Sequence, residues 1–344
     1  MGGGAEEGQD HAGVMEMTLR IAILDDYQNV AKSLAQWDSL PAGTIVQTFN
    51  EAIRGEDDLV NCLESFDVVV AMRERTAFPA TVINRLSSLK LLASTGVRNA
   101  AIDVDACHKR GVAVCGARGA RNGLAATAET AWALILALHK RLVISHIALG
   151  AGHWQPELAE AVEGKVLGIV GLGNIGKRMA RIGQAFGMKV IAWSPNLTQE
   201  RAELAGVQAV GKDVLFATAD VVTLHLVLSP STCSVVSGAE LSIMKAGAFL
   251  VNTARAGLVE EPALVEALRL GNIGGAGLDV FWTEPLPRGH ALCGLKNVVL
   301  TPHLGYATSE NLEAFYGNVL GNIKAWLAGK PLTPLAGLNT ADAS

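Results

Sequence analysis

Residues 165–194 read KVLGIVGLGNIGKRMARIGQAFGMKVIAWS. A short apolar run, a glycine-rich turn, an amphipathic helical pattern ending on Gly187 and a second apolar run leave few folds open. Apolar runs of strand length flanking a helical pattern read as parallel strands joined by a crossover helix. A GxGxxG pattern is weak by itself, but between a buried strand and a helix each glycine has a task. Gly171 permits the tight turn, Gly173 lets the backbone approach a pyrophosphate, and Gly176 allows close helix seating while the helix N-terminus faces the anion. The reading is dinucleotide binding. Where the second strand ends, an acidic residue normally holds the adenosine ribose, yet the chain has Trp193-Ser194-Pro195. An acid there accepts from both ribose hydroxyls of NAD and repels the 2'-phosphate of NADP. Ser194 removes the repulsion, and the first basic residue beyond it is Arg201, so either NAD or NADP is admitted without one being selected.

The whole chain has 344 residues, 50% hydrophobic and 18% charged, enough for two cores. Its net charge is -5, from Lys+Arg 28 against Asp+Glu 33. With no long basic run, this excludes the electrostatic footprint of a nucleic-acid or anionic-membrane binder and favours a small-molecule partner. The 5 cysteines (Cys62, Cys107, Cys115, Cys233, Cys293) lack CxxC or Cys/His spacing, so no metal site is expected and they read as reduced thiols of a cytoplasmic protein. Residues 1–17 are glycine-rich and acidic where a secretory signal needs basic and then apolar residues, and read as a disordered tail. No uninterrupted apolar run reaches the ~18 residues of a membrane span.

From Leu19 the runs LRIAIL, DVVVAM, LKLLAS and GVAVCG alternate with helical patterns; an Ala-rich apolar stretch at 123–149 reads as one or two helices; a second series runs through VVTLHL, AFLVNTA, GAGLDV and NVVLTPH. The expected class is α/β with two doubly wound parallel-sheet domains. A flavodoxin-like, discontinuous substrate domain takes 18–119 and 307–336. A Rossmann NAD(P)-binding domain takes 120–306.

Arg255 in VNTARAGLV, Glu284 in GLDVFWTEPLP and His303 in NVVLTPHLG stand at or just past predicted carboxyl ends of strands, the edge where open α/β sheets bind ligands. Singly each has a bland reading: a salt-bridge arginine, a turn acid, a capped loop histidine. Together with GLGNIG, HLVLSPST and TPHLGYAT, in order and spacing, these segments resemble the D-isomer-specific 2-hydroxyacid dehydrogenases over nearly everything from Leu19 to Gly329. The resemblance implies that Arg255 binds the substrate carboxylate and carbonyl oxygen, that Glu284 pairs with the catalytic histidine, and that His303 gives and takes the proton. It also implies that Asn174 and Ile175 meet the pyrophosphate, that Thr232 faces the phosphates, and that Thr253 and Asp279 lie along the nicotinamide ribose and carboxamide. The chemistry is coherent: hydride arriving at a keto carbon leaves negative charge on oxygen, which a guanidinium stabilises and an imidazolium protonates. A neighbouring carboxylate favours that charged imidazole, and the planar fork of Arg suits a carboxylate better than Lys does.

The chain departs from the family at the substrate loop. The stretch STGVRNAAID keeps Gly96, followed by Val97, but places Arg98 where a second glycine is usual. Arg98 is either a cation at the substrate entrance or a side chain that points to solvent or pairs with an acid. Arg73 in VVVAMRERT resembles the position that meets a second anionic group, with a solvated strand end as the alternative. Val227 replaces a usual proline. Trp132, His139 and His146 read as packing or interface residues, and the apolar linking segment suits the family's two-fold homodimer. The resulting function is hydride transfer between NAD(P)H and C2 of a small 2-keto or D-2-hydroxy acid in a cleft that closes on substrate. The alternative is a nucleotide-sensing corepressor on the same fold, which the short flanking segments disfavour; a phosphonate- or phosphite-like substrate is a more remote one.

Overall fold

The computed structural model describes residues 18–336; the tail expected at 1–17 lies outside them. Two compact units result. The smaller comprises the described residues through Arg118 together with those from Glu313 onward, and the larger is Gly119–Leu312.

The smaller unit is built on strands β1 (Arg20–Ile23), β2 (Ile45–Thr48), β3 (Val68–Ala71), β4 (Leu91–Thr95) and β5 (Ala113–Ala117), all parallel, in the order β2-β1-β3-β4-β5. This is the flavodoxin-like order. β3 and β4 are buried at every residue, which is why both read as continuous apolar runs instead of alternating ones. The chain returns on the long helix Ser309–Leu327. There Asn318 Nδ2 donates to Arg118 O at 2.7 Å and Asn322 Nδ2 to Gly116 O at 3.0 Å, tying the helix to β5 and the residue after it.

The larger unit has β6 (Val166–Val170), β7 (Lys189–Trp193), β8 (Gln208–Ala209), β9 (Val221–Leu224), β10 (Phe249–Asn252), β11 (Gly275–Leu278) and β12 (Val298–Leu300), again parallel, in the order β12-β11-β10-β9-β6-β7-β8. The β6/β9 boundary is a Rossmann switch point, where the strand order reverses and ligands bind. The chain leaves this unit between Leu312 and Glu313, later than the expected 306/307, because Asn311 holds the first turn of the helix. Its Oδ1 accepts from Ala120 N and its Nδ2 donates to Tyr306 O.

The apolar stretch at 123–149 forms two helices, Gly123–His139 and Leu142–Gly150. The first is buried because it covers the sheet: Trp132, Leu134, Ile135 and Leu138 pack with Leu167, Ile169, Met179, Phe249 and Val251. The break falls at Arg141, in the left-handed region (φ 53°). No single helix among the described residues is long and apolar enough to cross a membrane; the two together pass by length and composition but bend by 61°.

Candidate active site

The site residues of the larger unit stand at the carboxyl ends of adjacent strands. β10 ends on Asn252, whose buried amide closes the next turn: Nδ2 donates to Arg255 O at 2.9 Å and Oδ1 accepts from Ala254 N at 3.0 Å. The turn leaves Arg255 extended (φ -146°, ψ 139°), with Nη1 donating to Ala254 O at 2.7 Å. Asn252 thereby positions the arginine.

β11 runs into Asp279, which is wholly buried. Its Oδ1 accepts from Thr301 Oγ1 at 2.6 Å and Leu304 N at 2.7 Å, and its Oδ2 from Gly305 N at 2.8 Å. Burial pushes this carboxyl up from the usual range, against the opposing hydrogen bonds of Thr301, Leu304 and Gly305 and the nearby His303. Asp279, expected along the nicotinamide, thus spends both oxygens on the loop that carries His303. That loop needs fastening, because His303 has a left-handed backbone (φ 55°), uncommon for a residue with a Cβ. On the other side Glu284 accepts from Phe281 N through Oε1 at 2.9 Å and bonds His303 Nδ1 through Oε2 at 2.7 Å. An ionised carboxylate only accepts, so the proton sits on Nδ1 and Nε2 is left to exchange one. Tyr306 stands edge-on to the imidazole at 5.5 Å.

The glycine loop fits a dinucleotide. A Cβ on Gly171 would lie 2.7 Å from His225 C, and one on Gly176 would lie 2.2 Å from Gly171 O, so the protein's own packing requires both glycines. A Cβ on Gly173 would meet nothing within 4 Å. Bareness there leaves open space at the N-terminus of the helix Asn174–Ala185, which has no side-chain cap and whose first residues are Asn174, Ile175 and Gly176. Thr253 Oγ1 and His225 Nδ1 are buried without a hydrogen-bond partner, orphaned polar atoms of the kind a bound ligand satisfies. Thr232 differs: its hydroxyl donates to Val227 O at 2.7 Å and accepts from Ser229 N at 2.8 Å, so it braces its own loop. Ser194 is the first residue past β7.

In the smaller unit, Arg73 follows β3 with φ 51°. Its N–H donates to Thr95 Oγ1 at 3.0 Å, and its carbonyl accepts from Asn99 Nδ2, which also bonds Ser94 Oγ at 3.0 Å. Gly96 has φ 117°, and a Cβ there would lie 3.4 Å from Arg73 Nη1, so the guanidinium hangs over the loop of Gly96 and Val97. Arg98 is exposed and forms no ion pair among the described residues. Arg75 stacks on Tyr27 at 4.8 Å. Asp25, buried and left-handed, accepts from Thr76 and Tyr27; neither it nor Asn99 carried a signal in the sequence.

Residues 132–305 match the family model for the NAD binding domain of D-isomer specific 2-hydroxyacid dehydrogenases. The chain is 34% identical over 278 residues to a D-3-phosphoglycerate dehydrogenase of Synechocystis, covering 80% of this chain and 50% of that one. It is 36% identical over 258 residues to the glyoxylate reductase of Thermococcus litoralis, covering 72% and 77%. A crystal structure of a phosphoglycerate oxidoreductase from Vibrio cholerae superposes with a TM-score of 0.85 at 37% identity, covering 91% of this chain and 100% of the other. The chain spans about half the length of the curated phosphoglycerate dehydrogenases it matches. These relatives are oxidoreductases, and nothing among them supports the corepressor reading. With its glycine loop in front of a capless helix, and its Glu284–His303 pair at the same sheet edge as Arg255, the chain belongs to the D-isomer specific 2-hydroxyacid dehydrogenase family and binds NAD(P).

Proposed function

We propose that this protein reduces a small 2-keto acid to a D-2-hydroxy acid, or runs the reverse oxidation. The observation that carries the reading is the 2.7 Å bond between His303 Nδ1 and Glu284 Oε2, at the same sheet edge as Arg255. When bound, the nicotinamide cofactor supplies or accepts the hydride. Gly171, Gly173 and Gly176 with Asn174 and Ile175 hold its pyrophosphate, and Thr253 has a buried hydroxyl to offer it. Arg255 clamps the substrate carboxylate and steadies charge developing on the carbonyl oxygen. His303 delivers the proton from Nε2, while Glu284 keeps Nδ1 protonated and stabilises the imidazolium.

The smaller unit is the substrate domain in this reading, with Arg73, Gly96, Val97 and Arg98 as its contribution. The names of the relatives bring phosphohydroxypyruvate and glyoxylate forward as substrates. A homodimer is supported by the helix Leu142–Gly150, which leaves Leu142, Val143, Ile147 and Leu149 exposed. A cytoplasmic setting is supported by scattered cysteines that are free among the described residues. The test is oxidation of NADH and NADPH against glyoxylate, hydroxypyruvate, pyruvate, 2-ketoisocaproate and phosphohydroxypyruvate. Turnover of at least one is expected. Tight cofactor binding without turnover of any keto acid would overturn the proposal.

A further inference from the structure

The turn after β7 carries the departure at Ser194. Leu197 N donates to Ser194 O at 3.1 Å, closing the turn. Thr198 then caps the short helix Gln199–Glu203 by accepting from Arg201 N. Arg201 folds back from that helix, and its Nη1 donates to Asn196 O at 2.9 Å. A guanidinium is therefore tethered to the turn two residues beyond Ser194, with one of its five N–H donors used. No protein group among the described residues hydrogen-bonds the half-buried Ser194 hydroxyl.

Lys212 stands 5.7 Å from the Trp193 ring, but it is paired with Glu240 at 2.8 Å. Burial opposes ionisation of Glu240, yet Lys212 and Ser237 overcome it and hold the carboxyl near about 2. Lys212 is thus already neutralised. Of the two acids on the short helix, Glu203 accepts from Gln199 and Glu200 is exposed. No acid lies between Trp193 and Gln199.

A ribose diol is best held by a carboxylate that accepts from both hydroxyls, which a single hydroxyl cannot match. A phosphate monoester, carrying roughly -1.5 to -2 near neutral pH, seeks hydroxyl donors and a guanidinium. Tethering Arg201 through Asn196 reduces the freedom lost when it engages an anion. We infer that residues 194–201 form a 2'-phosphate subsite, with Ser194 and Arg201 as its ligands, and that the protein takes NADP(H) in preference to NAD(H). The inference rests on the dinucleotide-binding reading above.

The experiment is isothermal titration of the full chain with NADP+, NAD+, 2',5'-ADP and 5'-AMP, with no turnover involved. NADP+ is expected to bind at least about tenfold tighter than NAD+, with 2',5'-ADP ahead of 5'-AMP by a similar factor, both gaps narrowing as salt rises. Arg201→Ala should remove most of the gap, Arg201→Lys should keep part of it, and Ser194→Asp should reverse it. Equal or tighter binding of NAD+ by the unaltered chain would overturn the preference while leaving the dehydrogenase reading in place. An Arg201→Ala variant with the full gap would remove Arg201 from the subsite. Failure of all four compounds to bind would take down the dinucleotide reading and the subsite together.

Discussion

Just past β3, Arg73 takes a left-handed backbone with φ 51°, and just past β12 His303 does the same with φ 55°. Each conformation costs a residue with a Cβ about 1–2 kcal/mol, so each loop must be held by something else. The fastenings differ. The backbone of Arg73 is held by the Thr95 hydroxyl and the Asn99 amide. His303 lies between two carboxylates, Glu284 on its ring and Asp279 beneath its loop. In the proposed reaction the His303 side chain gains and loses a proton, and the Glu284 carboxylate on its ring favours the charged form. In the proposed function the His303 edge serves proton transfer and the Arg73 edge anion recognition, and each can be tested on its own side.

The largest effect is expected at His303. His303→Ala should lower kcat by at least about a hundredfold while cofactor affinity stays within a few-fold, the signature of a lost general acid. Pre-steady-state hydride transfer, followed at the reduced-nicotinamide absorbance, with cofactor titration alongside, reads both quantities. Unchanged turnover would remove His303 from the mechanism.

Next comes the fastening itself. Asp279→Ala strands three donors in a buried place, at a cost of about 3 kcal/mol or more, and releases the His303 loop. Asn99→Ala removes neutral bonds and should cost about half as much. Urea denaturation of the two variants compares the edges directly. Equal losses would mean that the carboxylate contributes nothing beyond an amide.

A second histidine in the larger unit supplies a control for charge. His139 is 2% exposed, lies edge-on to Phe249 at 4.8 Å, and has no hydrogen bond on either ring nitrogen. Glu160, 4.0 Å away, is engaged at 2.8 Å by Lys165. Burial, reinforced by Lys165, pushes the imidazole down to about 4. Below pH ~6.5 the unfolded chain therefore takes a proton that the folded chain refuses until about pH 4, and stability falls across that window. The loss is about 2 kcal/mol at pH 5 relative to pH 7.5. His139→Leu should abolish that share of the acid sensitivity, as urea midpoints at the two pH values would register. The same drop in both proteins would assign the sensitivity to other groups.

The sequence made some of this visible and hid the rest for physical reasons. The glycine loop was legible because three glycines fall within six residues, two of them required by the protein's own packing and the third left bare at the start of the helix. Arg255, Glu284 and His303 could be placed at strand ends from the sequence, while their proposed roles came from the family resemblance and not from the residues singly. The task of Asp279 was not legible, since its donors at Thr301, Leu304 and Gly305 come from another strand end. Nor was the approach of Arg73 to Gly96, which exists only because β3 and β4 pair in parallel. The break between the two apolar helices stayed ambiguous because Arg141, and not a glycine or proline, occupies the left-handed position.

The smallest expected effect, and the sharpest test of the recognition edge, is Gly96→Ala. At φ 117° an alanine is strained whatever the space around it, while its methyl would stand 3.4 Å from Arg73 Nη1, an ordinary contact. The cost is therefore conformational, about 1–2 kcal/mol, with little clash to add. Gly116→Ala is the contrast: there a Cβ would stand 2.8 Å from Gly96 O and 3.0 Å from Val97 Cα, backbone that cannot move aside. With Gly96→Ala the loop relaxes and the guanidinium of Arg73 shifts with it, so KM for the keto acid should rise several-fold while kcat changes little. A kcat loss as deep as that of His303→Ala, at unaltered KM, would mean that this edge takes part in the chemistry, and the division between the two sheets would fail.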